Sequence, residues 1–137
     1  MFKKIVIALD GSRRCDAAVD AVIAQADPGS RIVAVHVKTH AAEPALLEVV
    51  HAQTERLRAA GLPVEVDGST TVMGDEANVI ARVARRNEAD VIVTATRGHA
   101  PLAGLLEGSV SQRLLHLADC PVLVIPHIDE AERAEVA

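Results

Sequence analysis

Aromatic side chains are almost absent from this chain. Of its 137 residues one is phenylalanine, and none is tyrosine or tryptophan. Surfaces that hold single-stranded nucleic acid stack the bases on aromatic rings, so this absence argues against such a surface. The chain is 50% hydrophobic, which is enough for the core of one domain, but that core must be built from valine, isoleucine, leucine and alanine.

Positive charge is also scarce. The chain has 14 lysines and arginines against 19 acidic residues, and its net charge is −5 at pH 7. The basic residues are scattered, which argues against binding to DNA or to an anionic membrane surface. The longest apolar runs are far shorter than a bilayer requires, and the first four residues lead directly into a strand instead of a signal peptide. We therefore expect a cytoplasmic protein with no nucleic-acid or membrane partner.

Cysteine and histidine do not form a pattern typical of a metal site. The two cysteines, Cys15 and Cys120, are far apart and lie among apolar or helix-forming neighbours, so we expect reduced, structural thiols. His36 is alone in an apolar strand and lacks a partner at metal-ligand spacing. We expect it to be a hydrogen-bonded structural histidine.

The hydrophobic pattern predicts five strands that alternate with four helices. Short apolar runs predict buried strands, and Ser12 is the expected N-cap of the first helix. Alternating strands and helices predict an α/β fold with an open parallel sheet and helices on both faces. We assign residues 1–126 to one domain and residues 127–137 to an acidic, flexible tail. The predicted strands are residues 5–9, 31–37, 64–72, 89–94 and 121–125.

The segment 95–109 joins the fourth strand to the last helix through a glycine-containing loop. Nine residues separate Gly98 from Gly108, and Ser109 with Gln112 forms a capping box at the helix start. A helix start offers free N–H groups and a positive dipole end, and glycine lets the backbone approach a ligand closely. The segment therefore suits a phosphate group, although it is neither a P-loop nor a dinucleotide fingerprint. The alternative is a tight turn and an ordinary N-cap without a ligand.

These residues resemble the universal stress protein family. Its nucleotide-binding members carry glycine, two residues, a second glycine, nine residues, and then Gly-Ser or Gly-Thr after the fourth strand. This chain has Ala95, Gly98, Gly108 and Ser109 at those places, so one glycine is replaced. Residues 3–12, 35–37, 89–93 and 120–126 are also similar to the family. The resemblance implies a Rossmann-like sheet of strand order 3-2-1-4-5, of the adenine nucleotide alpha hydrolase-like type.

That strand order places the ends of strands one and four at a topological switch point, where ligands bind in open α/β sheets. The resemblance implies that Asp10 lies beside a nucleotide, where its carboxylate suits Mg²⁺ through a bridging water. Arg97 faces either the phosphates or solvent, and the Ala95 methyl group is expected to weaken phosphate binding without abolishing it. The nucleotide-binding residues expected in this way are Ala8, Leu9, Asp10, Val37, Thr94, Ala95, Arg97, Gly98, Gly108, Ser109 and Val110.

The resemblance implies an ATP-binding regulatory or sensing module in the stress response, with Mg²⁺ as the accompanying ion. Turnover is expected to be slow or absent, because no base other than Asp10 is arranged to activate water. The alternatives are a nucleotide-free dimeric interaction protein, which Ala95 favours, and a slow ATP hydrolase or another enzyme of related fold. No nucleophile elbow is present to support a hydrolase.

The last strand is expected at the edge of the sheet. An apolar edge strand leaves backbone N–H and C=O groups free to pair with another chain. The family forms homodimers by joining these strands, so the resemblance implies a homodimer through residues 122–125. The alternative is that the acidic tail covers this edge.

Overall fold

The computed structural model describes residues 2–38, 44–70, 75–97 and 110–127. Strands and helices alternate throughout these ranges. None of the helices found there has both the length and the apolar character needed to cross a bilayer. In chain order the elements are β1 (Lys4–Ala8), α1 (Cys15–Gln25), β2 (Arg31–Lys38), α2 (Pro44–Ala59), β3 (Val64–Thr70), α3 (Glu76–Arg86), β4 (Val91–Arg97), α4 (Val110–Leu117) and β5 (Val122–His127).

The strands form one parallel sheet in the order β3-β2-β1-β4-β5, which confirms the predicted fold class and strand order. β1 occupies the centre. Its residue Ile7 pairs with Ala34 of β2 on one side and with Val93 of β4 on the other. β3 and β5 are the two edge strands, as the strand order implied by the resemblance requires.

Helices cover both faces of the sheet, as predicted. Successive strand residues point to opposite faces, so the buried residues of a strand alternate between two cores. Ile5 and Ile7 of β1 pack with residues of α1 and α2. Val6 and Ala8 pack on the opposite face with residues of α3 and α4. The helices that follow the neighbouring strands β1 and β4 therefore lie on opposite faces, and a crevice opens between them at the carboxyl ends of these strands.

The prediction that Ser12 caps α1 is wrong. The helix begins at Cys15, and Arg14 occupies the N-cap position without a side-chain cap. The Ser12 N–H instead donates to Oδ1 of Asp10 at 2.8 Å, the local bond by which an aspartate makes a turn with the residue two places on. Gly11 between them has a φ of +87°, which other residues rarely adopt. The Asp10 carboxylate therefore fixes the turn and delays the helix.

At the amino ends of the strands, Asp90, which directly precedes β4, links β4 to the start of β1. Its Oδ2 accepts the backbone N–H of Lys3 at 2.8 Å and that of Lys4 at 2.9 Å. These bonds, from Lys4 and then Lys3, hold the pKa of Asp90 below its usual value. A carboxyl group with a lowered pKa in the folded state stabilises the fold above its unfolded pKa and loses this effect as the pH falls through its folded pKa.

We therefore expect Asp90→Asn to lower the thermal midpoint by a few degrees at pH 7. The difference from wild type should narrow as the pH falls below about 4, where the carboxyl group begins to protonate. Thermal unfolding measured from pH 7 to pH 2 checks this expectation. A difference in thermal midpoint that stays constant over this range would show that the charge of Asp90 does not contribute to the stability of the fold.

Candidate functional site

A cavity of about 210 Å³ opens at the carboxyl ends of β1 and β4, the place predicted for a ligand. Most of its wall comes from four elements: the end of β1 with the turn after it, the end of β2, β4, and the start of α4. The predicted residues that line it are Ala8, Leu9, Asp10, Val37, Thr94, Ala95 and Val110.

The other predicted site residues fall on or beyond the end of β4. Arg97 is the last residue of that strand, where its backbone is paired with His127 of β5. Gly98, Gly108 and Ser109 lie outside the described residues, as does the tail from residue 128 onward. The structure thus assembles the Asp10 side of the predicted site, and the binding role of these residues stays a prediction.

The Asp10 carboxylate is held by three donors. Its Oδ1 accepts the Ser12 N–H at 2.8 Å and the Cys15 thiol at 3.3 Å, and its Oδ2 lies 3.3 Å from Nη2 of Arg14. The side chain is nevertheless 57% exposed. Partial burial raises the pKa of Asp10, but the hydrogen bonds from Ser12 and Cys15 and the charge of Arg14 outweigh it and lower the pKa below its usual value. Asp10 is therefore an oriented anion at neutral pH.

Cys15, the first residue of α1, holds this carboxylate through the hydrogen bond from its thiol. Its side chain is 3% exposed, and its Sγ also lies 3.7 Å from the Ala8 carbonyl oxygen. Burial, followed by the negative charge of Asp10, raises the pKa of the Cys15 thiol to about 12. Both cysteines are free thiols, as the sequence predicts. Cys15 therefore remains a neutral donor, and the sequence reasoning missed that its thiol also lines the cavity.

His36 of the neighbouring strand β2 is hydrogen-bonded to the residue that follows β1. Its Nδ1 lies 2.9 Å from the Leu9 carbonyl oxygen, and the side chain is buried. A carbonyl oxygen can only accept, so Nδ1 carries the proton in this bond. His36 is thus the hydrogen-bonded structural residue that the sequence predicts. Within the described ranges, no three histidine, cysteine or acidic residues gather as they would around a metal ion.

The cavity has further walls that the sequence reasoning missed, formed by Val35, Glu76 and Ile80. Val35 lies two places before Val37 and so points to the same face of β2, a signal that could have identified it. Glu76 and Ile80 are four residues apart on one face of α3. Their place in the site depends on how α3 packs across the sheet, which no local pattern shows. Glu76 adds a second acidic residue to the wall.

The fold places this chain among the open α/β proteins, and its cavity lies at the topological switch point of the sheet, where such proteins bind ligands. Comparison with known proteins is more specific. The sequence model of the universal stress protein family matches residues 1–126, and the chain belongs to that family.

A relative from Thermus aquaticus, the universal stress protein in the QAH/OAS sulfhydrylase 3′ region, is 33% identical over 138 residues. The alignment covers 91% of this chain and 99% of that protein. Two solved structures share the fold. A universal stress protein in complex with cAMP matches with a TM-score of 0.72 and 20% identity, over 90% of this chain and 96% of its own. The universal stress protein from Archaeoglobus fulgidus matches with a TM-score of 0.74 and 21% identity, over 91% of this chain and 99% of its own.

Proposed function

We propose that this protein is a cytoplasmic regulatory module of the stress response that binds ATP with Mg²⁺ in the cavity beside Asp10. The main observation in support of the proposal is that Asp10, Ala95 and Val110 line one cavity at the switch point of the sheet. The cAMP complex of a universal stress protein of the same fold supports a nucleotide as the class of ligand.

The chemistry of the wall fits the nucleoside part of such a ligand. Val35, Val37 and Ile80 offer an apolar surface for a base, and Asp10 is an acceptor for donor groups. The cavity of about 210 Å³ is smaller than the roughly 300 Å³ at which pockets for small molecules begin, so a nucleotide would fill it and extend beyond its rim. Phosphates would extend toward the start of α4, because a helix start favours an anion, and a Mg²⁺ between them and Asp10 would offset the repulsion from that carboxylate.

Asp10 is the described residue best suited to Mg²⁺. A single carboxylate holds this ion weakly, and Mg²⁺ keeps several waters when phosphates supply its other ligands. The Asp10 oxygens are already bonded to Ser12, Cys15 and Arg14, which favours contact through a water over direct ligation. Asp10 and Glu76 are the carboxylates that the described wall offers for activating water, and the Asp10 oxygens are already held by three donors, so hydrolysis is expected to be slow or absent.

A nucleotide-free dimeric interaction protein is the second candidate function. Ala95, which lies in the cavity wall, favours it, since it adds a methyl group where nucleotide-binding members have glycine. The edge strand β5 also supports a dimer, because among the described strands it pairs with β4 alone and its Leu123 is 37% exposed. A second copy of the chain could extend the sheet at this edge.

Isothermal titration of the protein with Mg-ATP separates the two candidates. Protein that has been unfolded, stripped of small molecules and refolded is used, so that a nucleotide retained during purification does not mask binding. Saturable heat at millimolar or lower nucleotide supports the ATP-binding function. A flat titration at millimolar Mg-ATP, together with a dimer in analytical ultracentrifugation, supports the interaction protein.

Ala95→Gly is expected to tighten Mg-ATP binding about fivefold. Removal of the methyl group relieves crowding worth about 1 kcal/mol where the phosphates would pass. Ala34→Gly is the matched control, because it makes the same change in β2, on the far side of β1, at a fully buried residue outside the cavity wall. Both variants should lose a similar amount of stability. Equal nucleotide affinity in Ala95→Gly and wild type would show that the methyl group does not obstruct the ligand.

A further inference from the structure

A buried glutamine links α2 to the turn that carries Asp10. Gln53 is 0% exposed. Its Nε2 donates to the Ser12 carbonyl oxygen at 3.1 Å and to Oδ1 of Asp16 at 2.9 Å. The opposite orientation of the amide would place its oxygen against these two acceptors, so the hydrogen-bond network fixes the orientation.

The other end of this amide has no hydrogen-bond partner. Within the part of the chain that the structure describes, Oε1 of Gln53 is buried and unpaired. A buried polar atom without a partner costs stability, which an apolar side chain of the same shape would avoid. Packing alone therefore does not explain why a glutamine, and not an apolar residue, occupies position 53. Its donor, directed at Ser12 and Asp16, is the feature that offsets this cost.

Ser12 connects this donor to the cavity. Its carbonyl oxygen accepts from Gln53, while its N–H donates to Oδ1 of Asp10 at 2.8 Å. The first turn of α2 also contacts the same turn, because Leu46 lies over Gly11. A Cβ atom added at Gly11 would be 2.8 Å from Cβ of Leu46. α2 therefore contacts two consecutive residues that directly follow Asp10.

We propose that Gln53 is a positioning residue of the ligand cavity: through Ser12 it fixes the turn that orients the Asp10 carboxylate, and so couples α2 to ligand affinity. The coupling to affinity rests on the proposed nucleotide function. Because coupling free energies are reciprocal, a ligand held at Asp10 also stabilises the contact of α2 with this turn.

The test replaces Gln53 with methionine, which has a similar shape but neither donor nor acceptor. The matched control is Thr54→Val, since Thr54 is the next residue of α2, is 2% exposed, and bonds within its own helix to the Val50 carbonyl oxygen at 2.8 Å. In isothermal titration, Gln53→Met should bind Mg-ATP about fivefold more weakly than wild type, the equivalent of one hydrogen bond of about 1 kcal/mol. Thr54→Val should bind like wild type.

A second measurement needs no ligand. NMR titration of the Asp10 carboxyl group should show its pKa moving up toward the ordinary value near 3.9 in Gln53→Met and staying at the wild-type value in Thr54→Val. If Gln53→Met does not fold, Gln53→Asn replaces it, because the shorter amide cannot reach both acceptors.

Wild-type titration of Asp10 together with wild-type affinity in the Gln53 variant would overturn the proposal. If wild type itself does not bind Mg-ATP, the nucleotide function fails, and the Asp10 titration alone decides whether Gln53 positions the carboxylate.

Discussion

Native protein treated with iodoacetamide at pH 8 should be alkylated at Cys15 about a thousandfold more slowly than the unfolded chain. The thiolate is the species that reacts. Burial of the side chain, and then the charge of Asp10, raises the pKa of Cys15 to about 12. Compared with an ordinary thiol of pKa about 8.5, this lowers the thiolate fraction at pH 8 by about three orders of magnitude.

The measurement is mass spectrometry of tryptic peptides after timed alkylation. Cys120→Ser provides a chain in which Cys15 is the sole thiol, and the same protein in guanidinium gives the unfolded rate. In wild type, Cys120 is less buried than Cys15 and should react first. Native Cys15 that reacts within tenfold of the unfolded rate would contradict a neutral thiol donating to Asp10.

Leu114→Ala should destabilise the protein by about 2–5 kcal/mol, the range measured when a buried leucine is truncated and leaves a cavity. Leu114 is 0% exposed and is the residue by which α4 enters the core shared with α3. Val110 and Leu117 of the same helix are only partly buried against this core, so among the described residues of α4 Leu114 is the one fully buried apolar side chain. Because Val110 at its start lines the ligand cavity, the same substitution should also weaken nucleotide binding.

Leu115→Ala is the matched control for this prediction. Leu115 is the next residue of the same helix but is 60% exposed, so its truncation should change the free energy of unfolding by less than about 0.5 kcal/mol. Urea unfolding monitored by circular dichroism measures both variants. Similar destabilisation by the two substitutions would show that α4 does not dock through Leu114.

The central strands β1, β2 and β4 could be predicted because their apolar runs are buried on both faces. β1 shows why the strand order could not be predicted in the same way: its apolar residues alternate between two cores, and nothing in them identifies β2 and β4 as its neighbours. The order came from the resemblance to the family, and the sheet confirms it. The start of α1 differs from the prediction because the Asp10 carboxylate accepts the Ser12 N–H, and local sequence does not decide between this turn and an N-cap at Ser12.

In the candidate site, too, some residues could be predicted from the sequence and others could not. Asp10 and Ala95 could be identified because each lies at the carboxyl end of a strand beside the switch point. Glu76 could not, since its place depends on the packing of α3 over the sheet. Gln53 lies 41 positions from Ser12, and a polar residue in an amphipathic helix is typical of the exposed face. Only the folded structure shows that it is buried against the Asp10 turn.

Titration of ¹⁵N-labelled protein with Mg-ATP, followed by amide chemical shifts, tests most directly whether a nucleotide occupies the cavity at the carboxyl ends of β1 and β4. We expect saturable shifts at Asp10, Val37, Ala95 and Val110, with Arg31, Val64 and Glu65 at the opposite end of the sheet unchanged. Shifts confined to that opposite end, or none at millimolar Mg-ATP, would contradict a nucleotide site in this cavity.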